Sequence, residues 1–232
     1  MDKKVIITGA TGLIGRSMVE LFVQDGYEVV PVDISLGHDL RDEGFVKHFF
    51  EENSAPYLLN LFAYNDHVSG DAQTNNLFDI TLESFDKFLN VNLTALFSVC
   101  REYARNNSEG SIINVSSLYS RISPDPALYK SSSDCKKEKH IAYGVSKAGV
   151  EQLTRHLAVH LAPNIRVNCV APGGVGEDSQ PQSFVTKFSN KTAAGRMMTT
   201  DELFGVFRYL CSPHSSYTTG TTIRVNGGYG CR

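Results

Sequence analysis

The sequence predicts an α/β fold, a doubly wound parallel sheet with helices on both faces, and three observations carry that prediction. Short β-branched runs, apolar on both faces, alternate with segments of helical period. A glycine-rich turn joins the first such run to the first helical pattern. The 232 residues, 41% of them hydrophobic, suit one domain (1–232) with a full core, and no repeat or linker divides the chain.

Taken in order, strands are predicted at Val5–Thr8, Glu28–Asp33, Tyr57–Leu61, Ser111–Ser116, Ile165–Ala171 and Thr222–Val225. Between them, Met18, Leu21 and Phe22 mark one helix face. Phe85, Leu89, Asn92, Leu93, Leu96 and Cys100 mark a second, and Val150, Leu153, Leu157 and Leu161 a third. Such a βαβ order implies right-handed crossovers. Two stretches break the rhythm. Only Ile34–His38 lies between Asp33 and Asp39, leaving room for a very short helix or none, with Asp39 expected to follow a third strand. The polar stretch Arg121–His140 holds Pro124 and Pro126 and reads as an inserted surface loop, 118–140 with its flank. The polar segment 174–194 follows a strand's C-terminal end, where a substrate lid would sit.

Composition narrows the function. A net charge of -3 gives no reason to expect nucleic acid or an anionic membrane as partner, and no apolar stretch approaches a membrane span. The N-terminus runs straight into a strand without the apolar region of a signal peptide, and the five scattered cysteines have no CxxC pair. A cytoplasmic protein with reduced thiols is expected, Cys135 being incidental. His156 and His160 stand four apart, a zinc-compatible spacing that a helix surface also explains, so no metal is expected.

The turn Thr8-Gly9-Ala10-Thr11-Gly12-Leu13-Ile14-Gly15 lies between a strand and a helix. Glycines there let backbone N–H groups approach a pyrophosphate, to which the helix N-terminus adds its positive end. Gly9, Thr11, Gly12, Leu13 and Ile14 are therefore expected at a dinucleotide. Asp33 ends the second strand 18 residues after Gly15, where a carboxylate accepts from both ribose hydroxyls of NAD and repels the 2′-phosphate of NADP. Asp39 and Leu40 are expected near the adenine.

Tyr143 and Lys147 stand four apart, on one helical face. By itself this spacing usually marks a surface pair. Its neighbours change the reading: the strand Ser111–Ser116 delivers Ser117 to a ligand crevice, and Asn92 occupies the apolar face of a helix, where only a polar network would justify it. The Lys147 ammonium should favour the Tyr143 phenolate, fitting it for proton transfer.

Over essentially its whole length the sequence resembles the short-chain dehydrogenase/reductase family, through TGATGLIG, VNLTALF, IINVSS, YGVSK, RVNCVAPGG and TGTTIRVNGG. The resemblance implies a single-domain Rossmann fold and a tetrad of Asn92, Ser117, Tyr143 and Lys147. Tyr143 would be the acid/base, and Ser117 would polarise the substrate. Lys147 would bind the nicotinamide ribose, and Asn92 would hold a relay water. It also implies cofactor contacts from Ala63, Pro172, Gly173 and Val175, and a homotetramer or homodimer packed through the helices of Asn92 and Tyr143. The chain departs from the family pattern in four places. Gly9, Gly12 and Gly15 are spaced two and two. Leu61-Phe62-Ala63-Tyr64 replaces Asn-Asn-Ala-Gly, Glu177 stands where a threonine often lies, and the Ser117–Tyr143 interval is long. SSLYSRISPDPALYKSSS and SQPQSFVTKFSNKTAAGRM resemble the branch associated with bacterial flagellin and surface-glycan (nonulosonic acid) sugar synthesis.

The expectation is an NAD(H)-dependent oxidoreductase of a sugar or nucleotide-sugar. Arg121, Lys130, Lys136, Lys137 and Lys139 would draw a phosphorylated substrate, unless they form only a solvated face. Two alternatives are a 3-oxoacyl carrier-protein reductase, disfavoured by Asp33, and a non-catalytic dinucleotide sensor, which would have no need of all four tetrad residues.

Overall fold

The computed structural model describes residues 3–66, 77–129 and 138–231. Among these, six parallel strands form one sheet: β1 (Lys4–Thr8), β2 (Glu28–Val32), β3 (Tyr57–Asn60), β4 (Gly110–Val115), β5 (Ile165–Pro172) and β6 (Thr222–Val225). The spatial order is β2-β1-β3-β4-β5-β6. The chain leaves β1 in one direction to make β2 and returns to β1's other side as β3. The strand order therefore reverses between β1 and β3, and a crevice opens beyond their C-terminal ends.

Both faces are covered, which is why the strands read as apolar throughout. On one face α2 (Glu43–Glu52), α4 (Leu96–Asn106) and α5 (Ile141–Leu161) pack on Ile6, Leu58, Ile112 and Val167. On the other, α1 (Leu13–Gln24) and α7 (Phe204–Leu210) pack on Val5, Ile7, Leu59 and Val170. α3 (Leu82–Leu89) runs into α4 through a π-helical turn, Asn90–Ala95, and α6 (Gln182–Ser189) lies beyond β5. No helix among the described residues is long and apolar enough to cross a membrane.

The stretch before Asp39 departs from expectation. Asp39 and Leu40 follow a turn, not a strand; the third strand is Tyr57–Asn60, later in the chain. After β2 the Asp33 side chain caps a 3₁₀ turn, Ile34–Leu36, which Gly37 closes at φ 85°. His38 N–H then donates back to the Asp33 carbonyl, and Asp42 caps α2 by accepting from Gly44 and Phe45 N–H. These caps consume the backbone groups a strand would need. Leu40 is buried in the core cluster, and the Asp39 carboxylate pairs with Arg41 at 2.6 Å.

The polar segment after β5 holds more structure than its composition suggested. Phe188 of α6 is buried against Tyr229, with ring centroids 5.0 Å apart, and joins Leu118, Leu128 and Met197 in a third, smaller core. The described part of the insert docks there too: Tyr129 packs on Phe184, Lys187 donates to the Ala127 carbonyl, and Lys191 pairs with Asp125.

Candidate active site

The glycine turn is shaped by backbone crowding. Gly9 has φ 70°, and a Cβ there would stand 2.5 Å from the Phe62 nitrogen. At Gly15 a Cβ would meet the Gly9 carbonyl oxygen at 2.0 Å. The helix therefore leaves the sheet so closely that only glycine fits, despite the unusual spacing. Gly12 caps α1 with no side-chain hydrogen bond, so the first N–H groups of the helix, Leu13 and Ile14 among them, open toward the crevice. This cradle fits a pyrophosphate.

Asp33 stands at the end of β2, beside the turn. Its carboxylate accepts from Thr11 N–H at 3.2 Å and Ser35 N–H at 2.9 Å. Burial alone would raise its pKa, but these hydrogen bonds more than offset that and hold it below the usual carboxylate value. A fixed anion therefore stands beside the glycine turn. Ile34, next in sequence, is 63% exposed, an apolar surface that the sequence reading passed over.

Beyond β3 and β4 the chain delivers polar groups at one level. Thr8, Asn60 and Asn114 lie side by side in register. Thr8 Oγ1 donates to Asn60 Oδ1 (3.0 Å), Asn60 Nδ2 to Asn114 Oδ1 (2.9 Å), and Asn114 Nδ2 to Thr154 Oγ1 on α5 (3.0 Å). This buried row fixes the strand ends relative to the helix carrying Tyr143. The two asparagines inside otherwise apolar strands were the sequence signal for it.

Asn92 sits in the π-helical turn, a distortion that marks functional positions often enough to merit notice. Its amide is engaged on every side: Oδ1 accepts from Tyr64 N–H at 2.6 Å, and Nδ2 donates to the Tyr64 carbonyl and to Ser146 Oγ, both at 3.1 Å. Asn92 thus ties the segment after β3 to α5. Ser146 Oγ in turn donates to the Tyr143 carbonyl at 2.8 Å.

Ser117, Tyr143 and Lys147 converge at the mouth of β4. Lys147 is 3% exposed; its Nζ donates to the Val115 carbonyl at 2.9 Å and lies 5.9 Å from the Tyr143 ring centroid. Ser116 Oγ donates to the Lys147 carbonyl at 2.8 Å. Ser117 Oγ accepts from Tyr119 N–H at 3.2 Å, and the buried Glu151 anchors the same turn through Ser120 and Arg121. Burial lowers the Lys147 pKa to about 8. Burial also raises the Tyr143 phenol, while a hydrogen bond from Ser117 draws it back. The direction differs from the expected lowering because Lys147 stands well off the ring and desolvation of the phenolate dominates.

Of the other expected contacts, Pro172 ends β5, and Gly173 N–H donates to the Val225 carbonyl, so close to Asn226 that a Cβ would stand 2.9 Å from its Cα. Val175 bridges Met198, Ala63 is exposed beyond β3, and Glu177 is exposed. Gly173, Gly174, Phe188, Met198 and Asn226 line a pocket at the start of the segment after β5. Lys130, Cys135, Lys136 and Lys137 lie outside the described residues. Lys139 does not reach into solvent; it lies on the Tyr143 ring, 4.1 Å from its centroid. The His156 and His160 rings stack 6.4 Å apart on α5, and the described residues hold no group of three or more metal-ligating side chains.

A family model described as an enoyl-(acyl carrier protein) reductase matches residues 9–230. An uncharacterized short-chain type dehydrogenase/reductase of Sinorhizobium fredii is 30% identical over 97% of this chain, which spans 43% of that relative's length. A probable galactose dehydrogenase of Rhizobium meliloti is 29% identical over 98% of this chain and 94% of its own. Among solved structures, a short chain dehydrogenase of Leptospira borgpetersenii with bound NAD+ superposes with a TM-score of 0.84 at 26% identity, over 99% of this chain and 93% of that one. Motifs, sheet order and these likenesses agree: the chain belongs to the short-chain dehydrogenase/reductase family of oxidoreductases.

Proposed function

We propose that the protein is an NAD(H)-dependent oxidoreductase acting on a hydroxyl or carbonyl of a sugar or sugar-derived substrate. The observation that carries this reading is the meeting of Ser117, Tyr143 and Lys147 at the mouth of β4, across from a turn where no Cβ fits. When bound, the dinucleotide supplies or accepts the hydride. Gly9, Thr11, Gly12, Leu13 and Ile14 hold its pyrophosphate, and Asp33 accepts from its ribose hydroxyls. Asp39, Leu40 and Ala63 flank the adenine side; Pro172, Gly173 and Val175 flank the nicotinamide.

Ser117 orients the reacting oxygen. Tyr143 takes the hydroxyl proton during oxidation and returns it during reduction. Lys147 holds the nicotinamide ribose and, as a cation, stabilises the phenolate that this exchange requires. Asn92 fixes the segment after β3 against the catalytic helix, beside the path of the relayed proton. Asp33, held ionised, favours NAD over NADP. The sugar assignment is supported by the galactose dehydrogenase relative and by the glycan-branch motifs in the insert and lid. In this reading the segment 174–194 acts as a lid over that substrate, and the insert (118–140) is a surface loop. Exposed Phe97 on α4 and Val145 on α5 suit a dimer or tetramer built through those helices.

A second reading, reduction of an acyl group on a carrier protein, is favoured by the description of the matching family model. A turnover screen of nucleotide-linked sugars, aldoses and amino sugars separates the two. At least one sugar should turn over with NAD(H), and Tyr143→Phe should lower that rate by about 100-fold or more without weakening NADH binding. Turnover of acyl thioesters alone would move the assignment to the second reading, and an active Tyr143→Phe enzyme would remove Tyr143 from its role.

A further inference from the structure

Lysines stand four residues before and four residues after Tyr143: Lys139 and Lys147. Only Lys147 belongs to the YxxxK pair, yet Lys139 is the nearer of the two to the tyrosine ring, 4.1 Å from the centroid against 5.9 Å. Lys139 precedes the helix and is placed by its surroundings. Its Nζ donates to Asn65 Oδ1, and the buried Asp66 faces it. The next residue, His140, locks the backbone: its Nδ1 accepts from Ala142 N–H at 3.1 Å, and its ring stacks on Phe88, centroids 4.5 Å apart. The cation is therefore anchored from the β3 loop and from the helix cap, not waving on a surface stem.

We propose that Lys139 is a positioning residue for proton transfer, a second ammonium that lies on the Tyr143 ring and stabilises its phenolate. The physical basis is the ring's charge. A neutral phenol attracts a cation only through its quadrupole, whereas a phenolate ring shares a full negative charge, so the contact strengthens on ionisation. Lys139 thus lowers the cost of the state that burial opposes.

The other groups facing Tyr143 leave this role open. Lys147 on the same helix spends one N–H on the Val115 carbonyl. Ser117, from the turn after β4, offers a neutral hydroxyl. Tyr119 from that turn and Tyr129 from the insert bond to each other at 3.0 Å, and burial raises both phenols, so they stay neutral. His140 is held neutral by burial and by its accepting Nδ1. Phe88 from α3 meets the ring edge-on. Burial, opposed by Asp66 and aided by Lys147, lowers the Lys139 pKa to about 8, so the ammonium is present at neutral pH.

The test needs no substrate. The chain has no tryptophan, so tyrosinate absorbance can be followed against pH without an indole background. Subtracting the Tyr143→Phe protein isolates Tyr143 among the ten tyrosines. Lys139→Arg, which stays charged where the phenol ionises, should set the Tyr143 midpoint about one pH unit below that of Lys139→Met, which keeps the stem and removes the charge. If the Met variant does not fold, Lys139→Gln serves as the neutral reference in its place. Equal midpoints in the folded Arg variant and the folded Met or Gln variant would overturn the proposal. The inference rests on Tyr143 being the acid/base, and that reading fails separately, through retained turnover in Tyr143→Phe.

Discussion

On the β1–β2 side of the crevice stand backbone N–H groups and one fixed carboxylate; on the β4–β5 side stand side chains carried by a turn, the described ends of an insert and the segment after β5. The first side is set by crowding. Gly9 and Gly15 lie where a Cβ would overlap main-chain atoms, and Asp33 is locked by two N–H donors. The second is assembled from contacts among distant segments: Tyr129 on Phe184, Phe188 on Tyr229, Glu151 under the Ser117 turn. Backbone recognition suits a ligand whose phosphates and ribose never vary. A side-chain assembly can be rebuilt for a different substrate without touching the sheet.

Substitutions on the two sides should therefore fail differently. The largest effect is expected at Gly15→Ala, whose methyl would stand 2.0 Å from the Gly9 carbonyl oxygen with only backbone to give way. Dinucleotide affinity should fall about 100-fold, or about 3 kcal/mol, with a lower denaturant midpoint. On the other side, Phe188→Ala removes the ring that seats the segment after β5, with which a Cβ at Gly174 would clash at 2.6 Å. Calorimetry should show NADH affinity unchanged within about twofold, while KM for the sugar rises about tenfold. Equal losses on both ligands would mean that the halves are not separable.

A smaller effect concerns pH. Lys139 and Lys147 have pKa values lowered from 10.5 to about 8. Between those values the unfolded chain binds more protons than the folded one, so their contribution makes stability rise with pH. Cys100 and Cys169 act in reverse: burial raises them from 9.0 to about 12, so stability falls once the unfolded thiols ionise. The urea midpoint of the ligand-free protein should rise from about pH 7.5 to about pH 9, then turn over. Lys147→Met should flatten the rise.

The same division explains what the sequence revealed. All six strands and the helices of Met18, Asn92 and Tyr143 were legible because apolar period and glycine placement are local signals. The turn at Asp33–Leu40 was misplaced because its capping bonds, from Asp33 and Asp42, compete with strand formation in a way periodicity does not register. Phe184 and Phe188 sat within a segment read as a polar lid, since a helix of eight residues is too short for its apolar period to stand out from the polar residues around it. The Thr8–Asn60–Asn114–Thr154 row was missed because it exists only after four separate elements meet. Lys139 was read together with the other lysines of the insert; its anchor, Asn65, lies 74 residues away in sequence.

The account turns on a cofactor side preset for NAD by Asp33. Calorimetric titration of NADH and NADPH into the wild-type protein, in one buffer, tests it most directly. NADH should bind at least about tenfold more tightly, and Asp33→Ala should erase most of that margin. Equal or tighter binding of NADPH to the wild type would contradict it.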